Sequence, residues 1–477
     1  MSHGEPVTQR FSHQQMAALG ARLSGEAVGP QHPGYERARR VWNHMIDRHP
    51  AVVLRCKNDA DVTAAIAFAR DHGAVLTVKS GGHSVAGHSM LEDGVVIDLS
   101  PMRQVKVDPD AGRVRVSAGS LLADMDRATQ AFGLATPAGV MSETGIAGLA
   151  LGGGMGWLTR KHGLTCDNLI SARVVLADGS VVTASADQHP DLFWGLRGAG
   201  TNFGVVTEFE FATHVVGPTV PVGIAMFRIE DAGNAIAHHE QMMQRATDDF
   251  KVMVYLRRVS VERGVPDYLV GAPVCVFVSV WTGYPKDALH VNEELWAGAP
   301  KVFGSIQELP YTALQSLNDS LLGPGACNYT KGGYLSEITS GCVDSLLASA
   351  DRAPGALSVV EFSYQHGAQN RLDEEDTAFP DRNADHFINV LSRWQPDEES
   401  QPHIGWVRET FNATSRWQSG GLYTNFMAVD DDHRVEDAYR GRKYERLAMV
   451  KAKYDPDNVF CKNPNIRPAN GQRQTRA

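Results

Sequence analysis

The sequence predicts an α+β protein built as two domains, and three observations carry that expectation. From about His49 to His214, short strand patterns alternate with helix patterns and glycine-rich turns. Between about Gly217 and Asp430 the strands lengthen (VMVYLRRVSV, VCVFVSVWTGY, HFINVLSRW) and helices such as GNAIAHHEQMMQRATDDF separate them, which reads as an antiparallel sheet with helices on one face. The 477 residues are 43% hydrophobic and 21% charged, enough chain of ordinary globular composition to bury more than one core.

Taken in order, NDADVTAAIAFARDHG is a helix: Asn58 or Asp59 can accept from its first free amides, Val62, Ala65, Ile66 and Ala69 form one apolar stripe, and Gly73 stops it. AVLTVK is a buried strand, and GVVIDLS and GRVRVSAG are two more. SLLADMDRATQAFG is a helix with Ser120 expected as its cap and Gly133 as its end. NLISARVVLADGSVVTAS is a hairpin turning at Asp178-Gly179, and GVVTEFEFATHVV closes the first unit. In the second unit NRLDEEDTAFPDRNAD reads as a solvated surface loop. YRGRKYERLAMVKAKYDPDN gives a helix halted near Pro456, and the last seven residues read as a frayed tail.

A formal charge of −10 argues against a general nucleic-acid binder and fits a protein that handles small molecules. MSHGEPVTQRFSHQQ lacks the layout of a signal peptide, and no apolar run has the length of a membrane span, so a cytoplasmic location is expected. Cys56, Cys166, Cys275, Cys327, Cys342 and Cys461 are scattered without a CxxC, which supports neither a zinc site nor a disulfide scaffold; no metal is expected.

Three glycine-dense stretches stand out: SGGHSVAGHS, GIAGLALGGGMG and LRGAGTNFG. None is a Rossmann fingerprint, because Gly198 and Gly200 precede a strand and the glycines 152–156 follow an alanine- and leucine-rich run. No Walker-type motif occurs. Glycines after a strand can leave consecutive amides facing one concavity, a nest for pyrophosphate oxygens, and KSGGHS could form one with or without Lys79. A tight turn without a ligand is the other reading of that loop alone; three such loops favour an extended ligand lying across them.

VKSGGHSVAGHSM, GIAGLALGGGMGWLTRKHGLTCDNLISARVVLADG, DLFWGLRGAGTNFGVVTEFEF and the closing KAKYDPDNVFCKNPNI together resemble the berberine bridge enzyme-like flavoproteins of the vanillyl-alcohol oxidase/p-cresol methylhydroxylase (PCMH) superfamily. The resemblance implies a PCMH-type FAD-binding domain over residues 1–216 (core about 46–216), a substrate domain over 217–430, and a segment 431–477 that returns to the FAD domain. It implies that His83 bonds covalently to the flavin 8α-methyl group, which would make the flavin a better hydride acceptor. Many relatives add a cysteinyl bond, but Met141 stands where that cysteine would be, and a thioether cannot form it; a single link is expected, with Cys166 a small buried hydrophobe. Thr144 holds the position that governs dioxygen access in the family, and its shape, close to valine, leans toward an oxidase.

Further cofactor contacts are implied for Lys79, Ser80, Gly81, Gly82, Ser84, His88 and Ser89, and for Gly139, Met141, Ser142, Thr144, Gly145, Gly148, Gly152, Gly153, Gly154, Gly156 and Leu158. Asp167, Asn168, Val206, Tyr423, Asn425, Asn463 and Asn465 complete the set. GGLYTNFMAVDDD resembles the family's Y-x-N-[YF] segment, so Tyr423 is the first choice for catalytic base, with Asn425 positioning. A tyrosine titrates at about 10 and needs donors or cations nearby to serve. Asp381 replaces a family histidine, and Asn389 or Val390 stands where some members carry glutamate or glutamine over the flavin. Tyr364 and His366 are candidates to line the pocket. The expected activity is oxidation of a small organic substrate (a secondary-metabolite or sugar alcohol, or an amine) by hydride transfer to FAD, then to dioxygen. The alternatives are a dehydrogenase with another acceptor and a flavin-carrying binding protein.

Overall fold

The computed structural model describes residues 10–261 and 265–469, so the expected C-terminal tail lies outside the described residues. β1 (Glu26–Val28), β2 (Val52–Arg55), β3 (Leu76–Lys79) and β4 (Val95–Asp98) form a sheet in the order β1-β2-β4-β3, in which β4 runs parallel to β2 and β3. Next come β5 (Val105–Asp108), β6 (Arg113–Ser117), β7 (Leu134–Ala135), β8 (Leu169–Val175), β9 (Val181–Ser185), β10 (Val205–Ala212) and β11 (His214–Val215). Five of them make an antiparallel sheet, β5-β6-β10-β8-β9, while β7 pairs with β11. β12 (Thr219–Arg228), β13 (Phe250–Arg258), β14 (Pro273–Trp281), β15 (Lys301–Pro310), β16 (Cys327–Leu335), β17 (Ser358–Tyr364), β18 (His386–Trp394) and β19 (Gln418–Leu422) form an eight-stranded antiparallel sheet, β15-β12-β14-β13-β17-β18-β16-β19. The fold is α+β, as expected.

Local chemistry explains most element boundaries. The helix Asp59–Asp71 begins where Asn58 Oδ1 accepts from the Asp61 N–H at 3.0 Å, buries Val62, Ala65, Ile66 and Ala69, and ends at Gly73, whose φ of +57° suits glycine. The hairpin of β8 and β9 turns at Asp178-Gly179. Ser120 is not the cap of its helix. That helix, Leu122–Gln130, starts one residue later, with Asp124 Oδ2 accepting from the Leu121 N–H at 2.8 Å.

The stretch after Asn370 is a solvated surface loop only in its first half, where Arg371, Asp373, Glu375 and Asp376 are exposed; residues 377–382 are buried. It carries Phe379 and Arg382 into the interior, where Arg382 Nη2 meets Asp167 at 2.5 Å and Lys443 Nζ donates to the Phe379 carbonyl at 2.6 Å. One hydrophobic core joins β2, β4, β6, β8 and β10 residues with Leu447, Val450, Phe460 and Ile466 from near the C-terminus. A second lies behind the eight-stranded sheet, built from alternate residues such as Val252, Val254, Val360, Phe362, Ile388 and Val390. The other face of that sheet looks toward the glycine-rich loops. Among the described residues no helix is long and apolar enough to cross a membrane.

Candidate active site

Between those loops and the large sheet lies a cavity of ≈ 680 Å³, a volume suited to a small-molecule site. The loop after β3 forms one wall. Gly81 and Gly145 approach so closely that a Cβ on Gly81 would sit 2.5 Å from the Gly145 nitrogen, and one on Gly145 would sit 2.4 Å from the Gly81 nitrogen. Two glycines therefore hold the β3 loop against the start of the helix Ile146–Leu151. His83 follows, its ring stacked on Trp42 at 4.3 Å between centroids, with Nε2 buried and without a protein partner. Burial holds its imidazole down to about 4, so the ring is neutral at ordinary pH and its nitrogen lone pair is available.

Of the residues singled out in the sequence, Ser80, Gly81, Gly82, His83, Ser84, His88, Ser89, Gly139, Met141, Thr144, Gly145, Gly148, Gly152, Gly156, Val206, Asn389, Tyr423, Asn425 and Asn463 line this cavity. Others do not, each for a visible reason. Lys79 turns away to donate to the Ala38 carbonyl at 2.8 Å, with Asp98 3.9 Å off. Ser142 is bound to Asp319, Leu158 packs in a separate apolar cluster, Asp167 pairs with Arg382, and Asn168 holds the His162 and Leu164 carbonyls. Asn465 stands behind Asn463 and Pro464, outside the cavity.

Tyr364 is misplaced by parity: Val359, Glu361 and Ser363 of β17 face the cavity, so Tyr364 faces the opposite core, where Arg160 lies 5.4 Å over its ring. His366 pairs with Asp385 and does not line the cavity either. Asp381 accepts from Ser419 and from the Asn383 and Ala384 amides, a structural role.

The glycine run 152–154 serves the tyrosine. Gly153 (φ +121°) would drive a Cβ to 2.5 Å from the Phe379 ring, and Gly154 (φ +82°) to 2.2 Å from Thr165 Oγ1. This close packing lets the Gly154 N–H donate to the Tyr423 hydroxyl at 3.1 Å, and Asn425 Nδ2 donates to the same oxygen at 3.0 Å. Burial nevertheless pushes the Tyr423 phenol up to about 12 against those donors, so it keeps its proton.

Sequence reasoning missed three cavity residues. Trp42 precedes every recognisable motif; its amide donates to the Gly82 carbonyl at 3.0 Å and its ring supports His83. Lys251 of β13 is buried, with Nζ donating to the Tyr364 carbonyl at 3.2 Å and Gln365 Oε1 at 3.1 Å; burial, helped by the Arg160 charge, lowers its amine to about 7. Glu361 of β17 accepts from Asn389 Nδ2 at 3.4 Å, and burial pushes its carboxyl up against the pull of Asn389 and Lys251. The available cue was polarity on one face of a buried strand, in SVVEFSY and FKVMVYLRR.

The cavity suits a polar, extended cofactor: Ser89 Oγ and Asn463 Oδ1, like His83 Nε2, are buried lining atoms with no partner in the protein. Residues 50–185 match the family described as FAD binding domain, and 422–467 the one described as Berberine and berberine like. An FAD-linked oxidoreductase of Pyricularia oryzae, OXR1, is 30% identical over 444 residues, covering 89% of this chain and 86% of that one. The chain belongs to the berberine bridge enzyme-like family of FAD-linked oxidoreductases. Another of its members, the (R)-6-hydroxynicotine oxidase of Paenarthrobacter nicotinovorans, is 29% identical over 465 residues, 94% of this chain and 97% of its own. The crystal structure of the 6-hydroxy-D-nicotine oxidase from Arthrobacter nicotinovorans superposes with a TM-score of 0.83 at 27% identity, over 94% of this chain and 98% of that one. This berberine bridge enzyme-like chain is therefore an FAD-linked oxidoreductase, with FAD as its cofactor.

Proposed function

We propose that the protein is an oxidase carrying FAD on a single covalent bond from His83, and that it removes a hydride and a proton from a small organic alcohol or amine. Residues 1–216 and 431–477 would hold the cofactor and 217–430 the substrate. The observation that carries the reading is His83 itself: a neutral, partnerless imidazole nitrogen in the cavity wall, braced by Trp42, at the end of a loop that two glycines press against the opposite helix. The relative named (R)-6-hydroxynicotine oxidase supports the reading of an oxidase acting on a small organic molecule.

Bound FAD supplies the two-electron acceptor; the chain supplies the rest. Backbone amides of residues 80–84, 139–141, 144 and 145, with the Thr144 hydroxyl, would hold the diphosphate and ring. Met141 offers no thiolate for a second bond, and Cys166 is buried with its thiol pushed well up by burial. Tyr423 has both lone pairs occupied by N–H donors, which leaves its O–H to point at the reacting oxygen or nitrogen. Thr144, in the cavity wall, would be the small side chain that admits dioxygen.

Acid precipitation tests the tether. The parent's yellow should stay in the pellet, and the His83→Ala variant should release it to the supernatant; parent colour in the supernatant refutes the bond. Reoxidation of the reduced protein in air, faster than by a quinone, is the outcome expected of an oxidase.

A further inference from the structure

Glu361 is the one carboxylate among the described residues that line the cavity. It stands at the middle of β17, directly opposite Tyr255 of β13 on one side and Asn389 of β18 on the other. Thr330 Oγ1 donates to Asn389 Oδ1, which fixes the amide so that its NH₂ faces Glu361. One 3.4 Å hydrogen bond is a weak hold on a buried carboxylate, and Lys251 acts on it only at longer range. Glu361 thus keeps acceptor capacity turned into the cavity. Polar Thr330, Ser363 and Asn389 lie on its own and the neighbouring strands, but toward β12 and β14 the wall is apolar, with Ile224, Met226, Val276 and Val278, joined by Met253 and Phe303. A saccharide lying against the β12 and β14 side would leave its hydroxyls there without partners.

We propose that Glu361 is the catalytic base and that the substrate is an apolar alcohol or amine with few other polar groups. The inference rests on the flavin-dependent oxidation proposed above. In the step, the substrate C–H bond breaks and its hydrogen leaves with both electrons for the flavin. The O–H or N–H bond breaks, its proton passes to a Glu361 oxygen, and the electron pair left behind forms the second bond of C=O or C=N. The carboxyl then releases its proton to water, and dioxygen takes the two electrons and the transferred hydrogen from the reduced cofactor together with one proton from water, leaving as hydrogen peroxide.

Only ionised Glu361 can accept, so activity should rise with pH through its upward-shifted titration and fall below it. The other ionisable groups facing this space are Lys251, Tyr255 and Arg257 from β13, and Tyr423, Tyr439, His83, His88 and Lys462 from the elements opposite.

The test uses the holoprotein and three probes under anaerobic conditions: 4-methoxybenzyl alcohol, N-methylbenzylamine and cellobiose. One aromatic probe should bleach the flavin and cellobiose should not. Glu361→Gln should slow that bleaching by about a hundredfold and abolish the acid limb, with FAD content unchanged. Asn389→Ala, which removes a bond favouring the ionised form, should move the limb to higher pH. A readout without turnover is benzamidine, a cation that yields no hydride: its perturbation of the flavin spectrum should weaken about tenfold in Glu361→Gln and strengthen with pH in the parent. Unchanged bleaching in Glu361→Gln, bleaching by cellobiose alone, or no bleaching of yellow protein by any probe overturns the inference. A colourless protein instead sinks the flavin reading beneath it.

Discussion

Tyr423 takes two hydrogen bonds and has one to give, and that asymmetry makes its removal informative. Tyr423→Phe strands the Gly154 amide and leaves the Asn425 amide with the Leu149 carbonyl alone, so kcat/KM should fall about tenfold. The acid limb assigned to Glu361 should stay in place; its disappearance in Tyr423→Phe would return the role of base to the tyrosine. At this scale the sequence was legible wherever a side chain's task is set by its own loop. His83 is such a case, since its neighbours Gly81 and Gly82 travel with it. Glu361 and Tyr364 were not legible, because strand parity decides which of them meets the cavity, and parity depends on pairing with β13 and β18.

Among elements, the junction of the β3 loop with the helix Ile146–Leu151 tolerates no side chain. Gly81→Ala should therefore abolish FAD incorporation or leave an aggregated protein, because backbone on both sides must move. Gly233→Ala is the matching control: a Cβ there meets nothing within 4 Å, and the helix Ala232–Met243 should keep its FAD partner domain fully loaded. A flavin-to-protein absorbance ratio reads both. The strands and the Asn58-capped helix followed from periodicity and local caps. The burial of residues 377–382 did not, because it comes with Asp167 and Lys443, far away in sequence.

At the level of the whole molecule, Asp126 joins the two halves. It lies buried in the helix Leu122–Gln130 and accepts from Gln315 Nε2 at 3.1 Å, while the same amide donates to the Gly139 carbonyl at 3.0 Å. Burial pushes its carboxyl up to about 7, over the opposing hydrogen bond from Gln315. A raised carboxyl binds its proton more tightly in the folded chain, so its contribution to stability is full below the unfolded value near 4 and drains away as pH climbs toward about 7. Asp126→Asn keeps the Gln315 contact and cannot ionise. Its stability advantage should grow by about 1 kcal/mol per pH unit across that window and level off above it, as read from urea midpoints at several pH values. An advantage that does not vary with pH would mean that Asp126 does not titrate there.

Leu422, Tyr439, Leu447, Phe460 and Ile466 share one core with residues of β2, β4, β6, β8 and β10. A ribosome makes them well after residues 80–145. The nascent chain can thus form the glycine loops near residues 80 and 145 well before it owns Tyr423, Asn463 and the core residues around them, so the cavity acquires its last walls only after residue 466 has emerged.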